Sequence, residues 1–366
     1  MNDRQRFNAV MHFGRADRPF LTDFSYTADT LDNWHAQGLS PGTDMDRYFG
    51  LDGFWTAAGV SCDLCPGFEP AILQESENRV VERQSDGVTV LRQKRGRTIP
   101  HEIDHLLKTR DDWRTHYLPR LDPTTPARYP RDWDARVAEW RDRDYPLVIG
   151  AGSLFGRLRD WMGMEGICYV IHDDPAWFAE MVETMADCVL GGIERALNEV
   201  QFDAAGMWED MCYRSGPLIS PASFARFLVP HYRRITDRLR AAGIDVVYLD
   251  CDGDIRQLVP LWLDAGVNCM FPCEVGVWGL DVIELRRQYG RDLLMMGGFS
   301  KRILAAGPAA IDAEIARLQP LIDEGGFIGF CDHRVSPDVP LANYEHYIDA
   351  VRERWCRGIN LRPRVR

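Results

Sequence analysis

Three aspartates at alternate positions close the apolar run that ends in YLDCDGDIRQL, residues 248–258. Carboxylates this close repel one another unless solvent, hydrogen bonds, a metal ion or a cationic ligand offsets the charge. On a strand, Tyr248, Asp250 and Asp252 share one face, and Leu249 and Cys251 the other. Gly253 then permits a sharp turn. Asp254 is placed to cap a helix starting near Ile255. Asp250 and Asp252 are left as either a solvated strand end or a site for a metal ion or substrate.

Polar residues of the right kind follow the other apolar runs. GMWEDM supplies Glu209 and Asp210, CMFPCEVG supplies Cys273 and Glu274, and MMGGFSKR supplies Lys301 and Arg302. GFCDHRVSPD supplies Cys331, Asp332, His333 and Arg334. Carboxylates, a thiol, an imidazole and several cations would meet if these runs are parallel strands ending on one side. Other thiol spacings carry less. Cys62 and Cys65 form a lone CxxC without a second pair, and Cys269 and Cys273 share one strand face; both read as ordinary packed thiols. The loop GAGSLFG (150–156) looks like a phosphate cradle but lacks the Lys-Ser/Thr ending of a P-loop, so no nucleotide is assigned to it.

The elements that must position these groups are legible as alternating runs. Candidate strands are 145–152, 203–209, 245–250, 267–274, 292–298 and 326–332, with amphipathic helical stretches between them. Strand and helix in alternation imply a parallel sheet, and strands apolar throughout imply burial on both faces. With PFLTDF (19–24), the count approaches a closed (β/α)8 TIM barrel. The rival is an open doubly wound sheet; the polar residue at nearly every strand end favours the barrel, whose sites lie at that end. Upstream, RQRFNAVMHF reads as a helix, and RVVERQSDGVTVLRQ as a β-hairpin turning at Asp86 and Gly87. Residues 109–130 are irregular and Pro-rich. One domain over 1–366 is expected, with 60–140 partly an insertion.

The chain has 366 residues, 45% hydrophobic, with a net charge of −12. That balance argues against nucleic acid, which calls for a basic stripe. There is no signal-peptide h-region and no apolar run long enough for a membrane span. Ten scattered cysteines fit reduced thiols in the cytoplasm. The apolar face of WFAEMVETMADCVLGGI (177–193) would permit a homodimer.

The segments RQRFNAVMHFGRADRPF, GSLFGRLRDWMG, PLISPASFARFLVPHYRRI, LDCDGDI, FPCEVGVWGLDVIELRRQYG, MMGGFSKRIL and EGGFIGFCDHRVSPDVPLANYEHYI together resemble the uroporphyrinogen decarboxylase superfamily, in its branch of corrinoid-linked methyltransferases. The resemblance implies a (β/α)8 barrel with its site at the C-terminal strand ends. It also implies a zinc site of the form His-x-Cys with a distant second Cys, which activates a thiol. Here those positions hold Asp250, Asp252 and Cys331, a harder and more anionic set. The expected roles are therefore Glu209, Asp252 and Cys331 as zinc ligands, and Asp250 or His333 completing the set or acting as acid and base. Tyr248, Glu274 and Arg302 would orient a small methyl donor or acceptor. The corrinoid would ride on a separate protein, since no Asp-x-His-x-x-Gly motif is present. The decarboxylase branch grips its polycarboxylate with an arginine-bearing N-terminal run; LTDFSYTADTLDNWHAQG carries Asp23, Asp29 and Asp32 instead. Alternatives are a decarboxylase of another specificity and a barrel that binds small molecules without catalysis.

Overall fold

The architecture comes from a computed structural model, which describes residues 1–94 and 100–356. The expected domain 1–366 includes residues 95–99 and 357–366, which lie outside the described residues. In chain order the strands are β1 (Ala71–Glu75), β2 (Arg79–Arg83), β3 (Val88–Gln93), β4 (His101–His105), β5 (Val148–Gly150), β6 (Ala204–Trp208), β7 (Cys212–Tyr213), β8 (Gly216–Pro217), β9 (Val247–Asp250), β10 (Cys269–Cys273), β11 (Leu294–Phe299) and β12 (Phe327–Cys331).

Six of them form a parallel sheet in the order β12-β11-β10-β9-β6-β5. Five of them lie within runs expected to be strands, and β11 overlaps the expected run 292–298 and ends one residue beyond it. The long helices Gly156–Asp173, Pro175–Glu199 and Pro308–Glu324 are among the crossovers between them. Two extended segments extend the sheet at its edges. Ala57 bridges Val148 on β5, and Tyr26 bridges Val335 just past β12, both in parallel. The Asp52 amide donates to the Leu21 carbonyl at 2.6 Å, tying the two segments to each other. The eight positions of the (β/α)8 barrel are thus six regular strands and two short bridges; 19–24 is extended chain rather than a strand.

The interior shows the closure. Val148, Ala204, Val246, Phe271, Met296, Ile328 and Phe330 form one buried cluster with Phe20 and Phe54 from the two bridging segments. These residues recur with period two, as lumen-facing side chains must. The first helix (Asp3–Met11), closed by an Asn2–Gln5 capping box, adds Phe7, Val10 and Met11 to that cluster. Phe7 stacks on Phe54 at 5.1 Å. Buried Arg18 grips Asp52 through two contacts of 2.5 and 2.6 Å, fixing the bridging segments at their start. A larger apolar layer lies between strands and helices.

The hairpin β2–β3 turns at Asp86–Gly87 as the sequence indicates, within an antiparallel sheet β1-β2-β3-β4. Residues 110–128 hold only short turns of helix. The helix Pro175–Glu199 does not offer an apolar face to a second copy: Trp177, Phe178, Met181, Val182 and Met185 are buried in the chain's own core. No helix among the described residues is long and apolar enough to cross a membrane.

Candidate active site

Strand β9 delivers Tyr248 and Asp250 to the lumen at the C-terminal end of the sheet. Asp252 follows, and Gly253 turns the chain with φ +94°. A Cβ at Gly253 would lie 2.7 Å from the Cys212 carbonyl, so only glycine fits. Asp254 does not cap a helix. The next helix starts at Val259 with Leu258 as its N-cap. Asp254 instead closes a turn, accepting from the Arg256 amide at 3.2 Å and its guanidinium at 2.7 Å.

The end of β6 sends two consecutive carboxylates in different directions. Glu209 is fully buried. It accepts from the amides of Leu154, Phe155 and Gly156 at 2.7–2.8 Å, from Ser153 Oγ at 3.1 Å and from the Tyr232 hydroxyl at 2.6 Å. The amides belong to the start of the helix Gly156–Asp173, where unpaired N–H groups and the helix dipole attract an anion. The Gly-rich loop is therefore a cradle for an internal carboxylate. Asp210 follows with φ +40°, a left-handed backbone that costs a non-glycine residue roughly 1 kcal/mol or more. Arg159 donates to its carbonyl. Its carboxylate accepts the Asp252 amide at 3.1 Å.

Asp210, Asp250 and Asp252 consequently converge, with one oxygen of each within 4.8 Å of the others. His333, on the loop after β12, places Nε2 3.3 Å from Asp252. Burial pushes the Asp250 carboxyl up to about 8, helped by the charges of Asp210 and Asp252; His333 and Arg334 pull it partly back. Burial and Asp252 also raise Asp210. For His333, burial, the largest influence, favours the neutral ring, but the hydrogen bond to Asp252 and the charges of Asp252 and Glu274 together outweigh it and raise the group. Near neutral pH the cluster stores a proton on Asp250, with the His333 ring against the neighbouring Asp252.

The wall beside the acids is aromatic. Phe24 meets Phe271 at 4.7 Å and His333 at 5.7 Å, and Trp55 meets Phe271 at 5.2 Å. Glu274 stands one layer back. It accepts the Gly253 amide at 2.8 Å and Trp278 Nε1 at 2.7 Å, and so holds the turn that presents Asp252. Lys301 Nζ lies 3.6 Å from Glu274.

The structure thus brings together Asp250, Asp252, His333 and Tyr248, with Glu274 in support, and adds Asp210. It does not bring together Glu209, Asp252 and Cys331. Every acceptor direction of Glu209 is occupied. The Cys331 thiol is fully buried, on the helix side of β12 beside Asp23, Tyr26 and Tyr347, and burial holds it well above the ordinary thiol range. Arg302 points into solvent, and Lys301 is the cation that reaches inward. A zinc site with a thiolate ligand does not fit these residues. Asp210 and Lys301 were read as polar residues past strand ends but given no role, and Arg157, in the first turn of the helix Gly156–Asp173, and Trp208, the last residue of β6, were not singled out.

Residues 100–354 match the family model described as uroporphyrinogen decarboxylase. The chain belongs to the uroporphyrinogen decarboxylase family. Among its curated relatives, uroporphyrinogen decarboxylase of Maricaulis maris is 30% identical over 132 residues, 36% of this chain and 37% of that protein. The enzyme of Nocardia farcinica is 24% identical over 165 residues, 45% and 43% of the two chains. That of Pseudomonas aeruginosa is 24% identical over 261 residues, 64% and 66% of the two chains. The chain thus spans less than half the length of the first two. A methyltransferase from Methanosarcina mazei shares the fold, with a TM-score of 0.58 at 13% identity over 96% of this chain and 99% of that one.

Proposed function

We propose that this family member moves a methyl group from a small methylated molecule to a corrinoid carried by a separate protein, with Asp250 as proton donor. The observation that carries the reading is the convergence of Asp210, Asp250 and Asp252 at the barrel mouth, where a carboxylic acid is kept protonated near neutral pH. A methyl bound to oxygen or nitrogen leaves poorly unless the heteroatom is protonated. Asp250 gives its proton to that atom as the carbon–heteroatom bond breaks with its electron pair remaining on the heteroatom. The methyl passes to cobalt(I), whose two electrons form the new bond. Asp210 and Asp252 keep the acid's proton affinity high before transfer, and His333 stabilises the carboxylate afterwards. Tyr248 and the aromatic wall orient the donor. No step is assigned to zinc, because the thiolate set is not assembled. Decarboxylation of a polycarboxylate is the weaker reading, since such a substrate would meet three aspartates.

The test mixes the protein with a reduced corrinoid protein and candidate methyl donors, following the cobalt absorbance. The expected result is methyl–cobalt formation that Asp250→Asn slows by about 10²–10⁴-fold. Absence of any spectral change across oxygen, nitrogen and sulfur donors overturns the proposal.

A further inference from the structure

The backbone reversal at Asp210 is what separates its carboxylate from that of Glu209, and no glycine stands there to make it. Ordinary backbone partners are also missing. No backbone amide among the described residues donates to the Asp210 carbonyl. The following amide, of Met211, donates to Cys251 Sγ at 3.4 Å, a weak acceptor. A left-handed non-glycine residue persists only where its surroundings over-determine it. Here the surroundings are one helix end. The start of Gly156–Asp173 presses so closely on the end of β6 that a Cβ at Gly156 would lie 2.5 Å from the Glu209 carbonyl oxygen. Its amides take the Glu209 carboxylate. One turn into the same helix, Arg159 donates Nη1 to the Asp210 carbonyl. The guanidinium is itself held. Nη2 lies 2.9 Å from Asp160 Oδ1, and the group sits over the Trp208 ring at 5.4 Å. The reversed residue then offers its carboxylate to the Asp252 amide at 3.1 Å.

We infer that Arg159 is a positioning residue: by holding the Asp210 carbonyl it keeps the backbone reversed, and so keeps the Asp210 carboxylate facing Asp250 and Asp252. For its effect on turnover, this inference rests on the reading of Asp250 as proton donor. After burial, the Asp210 charge is the next largest influence raising Asp250, followed by Asp252, with His333 and Arg334 opposing. Without the guanidinium, Asp210 returns to an ordinary backbone conformation and its carboxylate leaves the cluster. Asp250 then holds its proton less tightly. Loss of a cation alone acts in the opposite sense, since a cation lowers a neighbouring carboxyl group.

The test is a cycle of urea denaturations on the wild type, Arg159→Met, Asp210→Gly and the double variant. Glycine takes the left-handed backbone freely, so Asp210→Gly is expected to raise the urea midpoint of the wild type. In Arg159→Met, where the strain is already relieved, the same change is expected to leave the midpoint unchanged or lower it. If Arg159→Met does not fold, Arg159→Lys, whose single ammonium replaces the forked guanidinium, is expected to cut the gain by about half. An infrared titration follows the protonated Asp250 carboxyl band, assigned by its loss in Asp250→Asn. Its midpoint is expected to fall by about one pH unit in Arg159→Met. An undiminished gain from Asp210→Gly in every folded Arg159 variant, or an Asp250 midpoint that stays or rises, overturns the inference. In the corrinoid assay, Arg159→Met is expected to slow turnover about tenfold in the wild type and to add nothing in Asp210→Gly. The expected cycle and titration without methyl transfer to cobalt refute the proposed function and leave the role of Arg159 standing. Methyl transfer with independent effects of Arg159 and Asp210 refutes that role and leaves the function.

Discussion

Glu209 and Asp210 leave the same strand end, yet the surroundings they enter are opposite in kind. On the helix side, five donors close around Glu209. On the lumen side, Asp210 meets two further carboxylates, and its own backbone is strained. A carboxylate satisfied by fixed donors is a structural anchor. One left among like charges binds a proton more tightly and is available for chemistry. The difference lies in which neighbours face the group, since the two side chains are chemically almost the same.

The comparison yields measurable contrasts. The largest concerns Asp250: replacing it with Asn is expected to abolish about 10²–10⁴ of the turnover while leaving thermal unfolding unchanged or later, since a repelling carboxylate is removed. Glu209→Ala should do the reverse through the fold, costing roughly 3 kcal/mol or more in urea denaturation as its buried donors lose their acceptor. A Glu209 variant of normal stability but no activity would break the comparison. Asp210→Gly relieves the left-handed strain and is expected to gain about 1 kcal/mol in the same assay while weakening activity.

The pH response sharpens it further. Asp250 is raised to about 8 in the folded protein from about 3.9 unfolded. Between those values the folded state holds the extra proton, so stability contributed by this group falls as pH rises from about 4 to 8. The same titration removes the acid form, so turnover should decline above pH 8. His333→Ala removes a charge that lowers Asp250, and should move that alkaline limb upward in a pH–rate profile. The smallest effect is expected at Arg302: Arg302→Ala should leave turnover within about twofold, as a solvated surface change.

The barrel was legible because parallel strands buried on both faces are written as unbroken apolar runs. Its last two positions were harder to read, because 19–26 and 54–58 are held by single bridges and carry no strand pattern. The Asp86–Gly87 turn gave away the hairpin, whereas β1 and β4, largely exposed, have no apolar alternation to read. In the site, period two correctly placed Tyr248 and Asp250 together. It also places Ile328 and Phe330 inward, and hence Cys331 outward; the resemblance to a zinc site pointed the other way. Past the last paired residue the rule stops, so the choice between Glu209 and Asp210 depended on a backbone reversal at Asp210 that no spacing announces.

The bridge between Tyr26 and Val335 also bears on how the molecule is made. Residues that close the ring are separated by almost the whole chain; Trp34 donates its indole N–H to Val339, 305 positions later. During synthesis the aromatic residues of the first fifty positions emerge long before β12 exists to cover them. Such distant pairing slows folding and leaves apolar surface exposed meanwhile. The aromatic residues near the start therefore lack their partners until β12 and the segment reaching Val339 have been made.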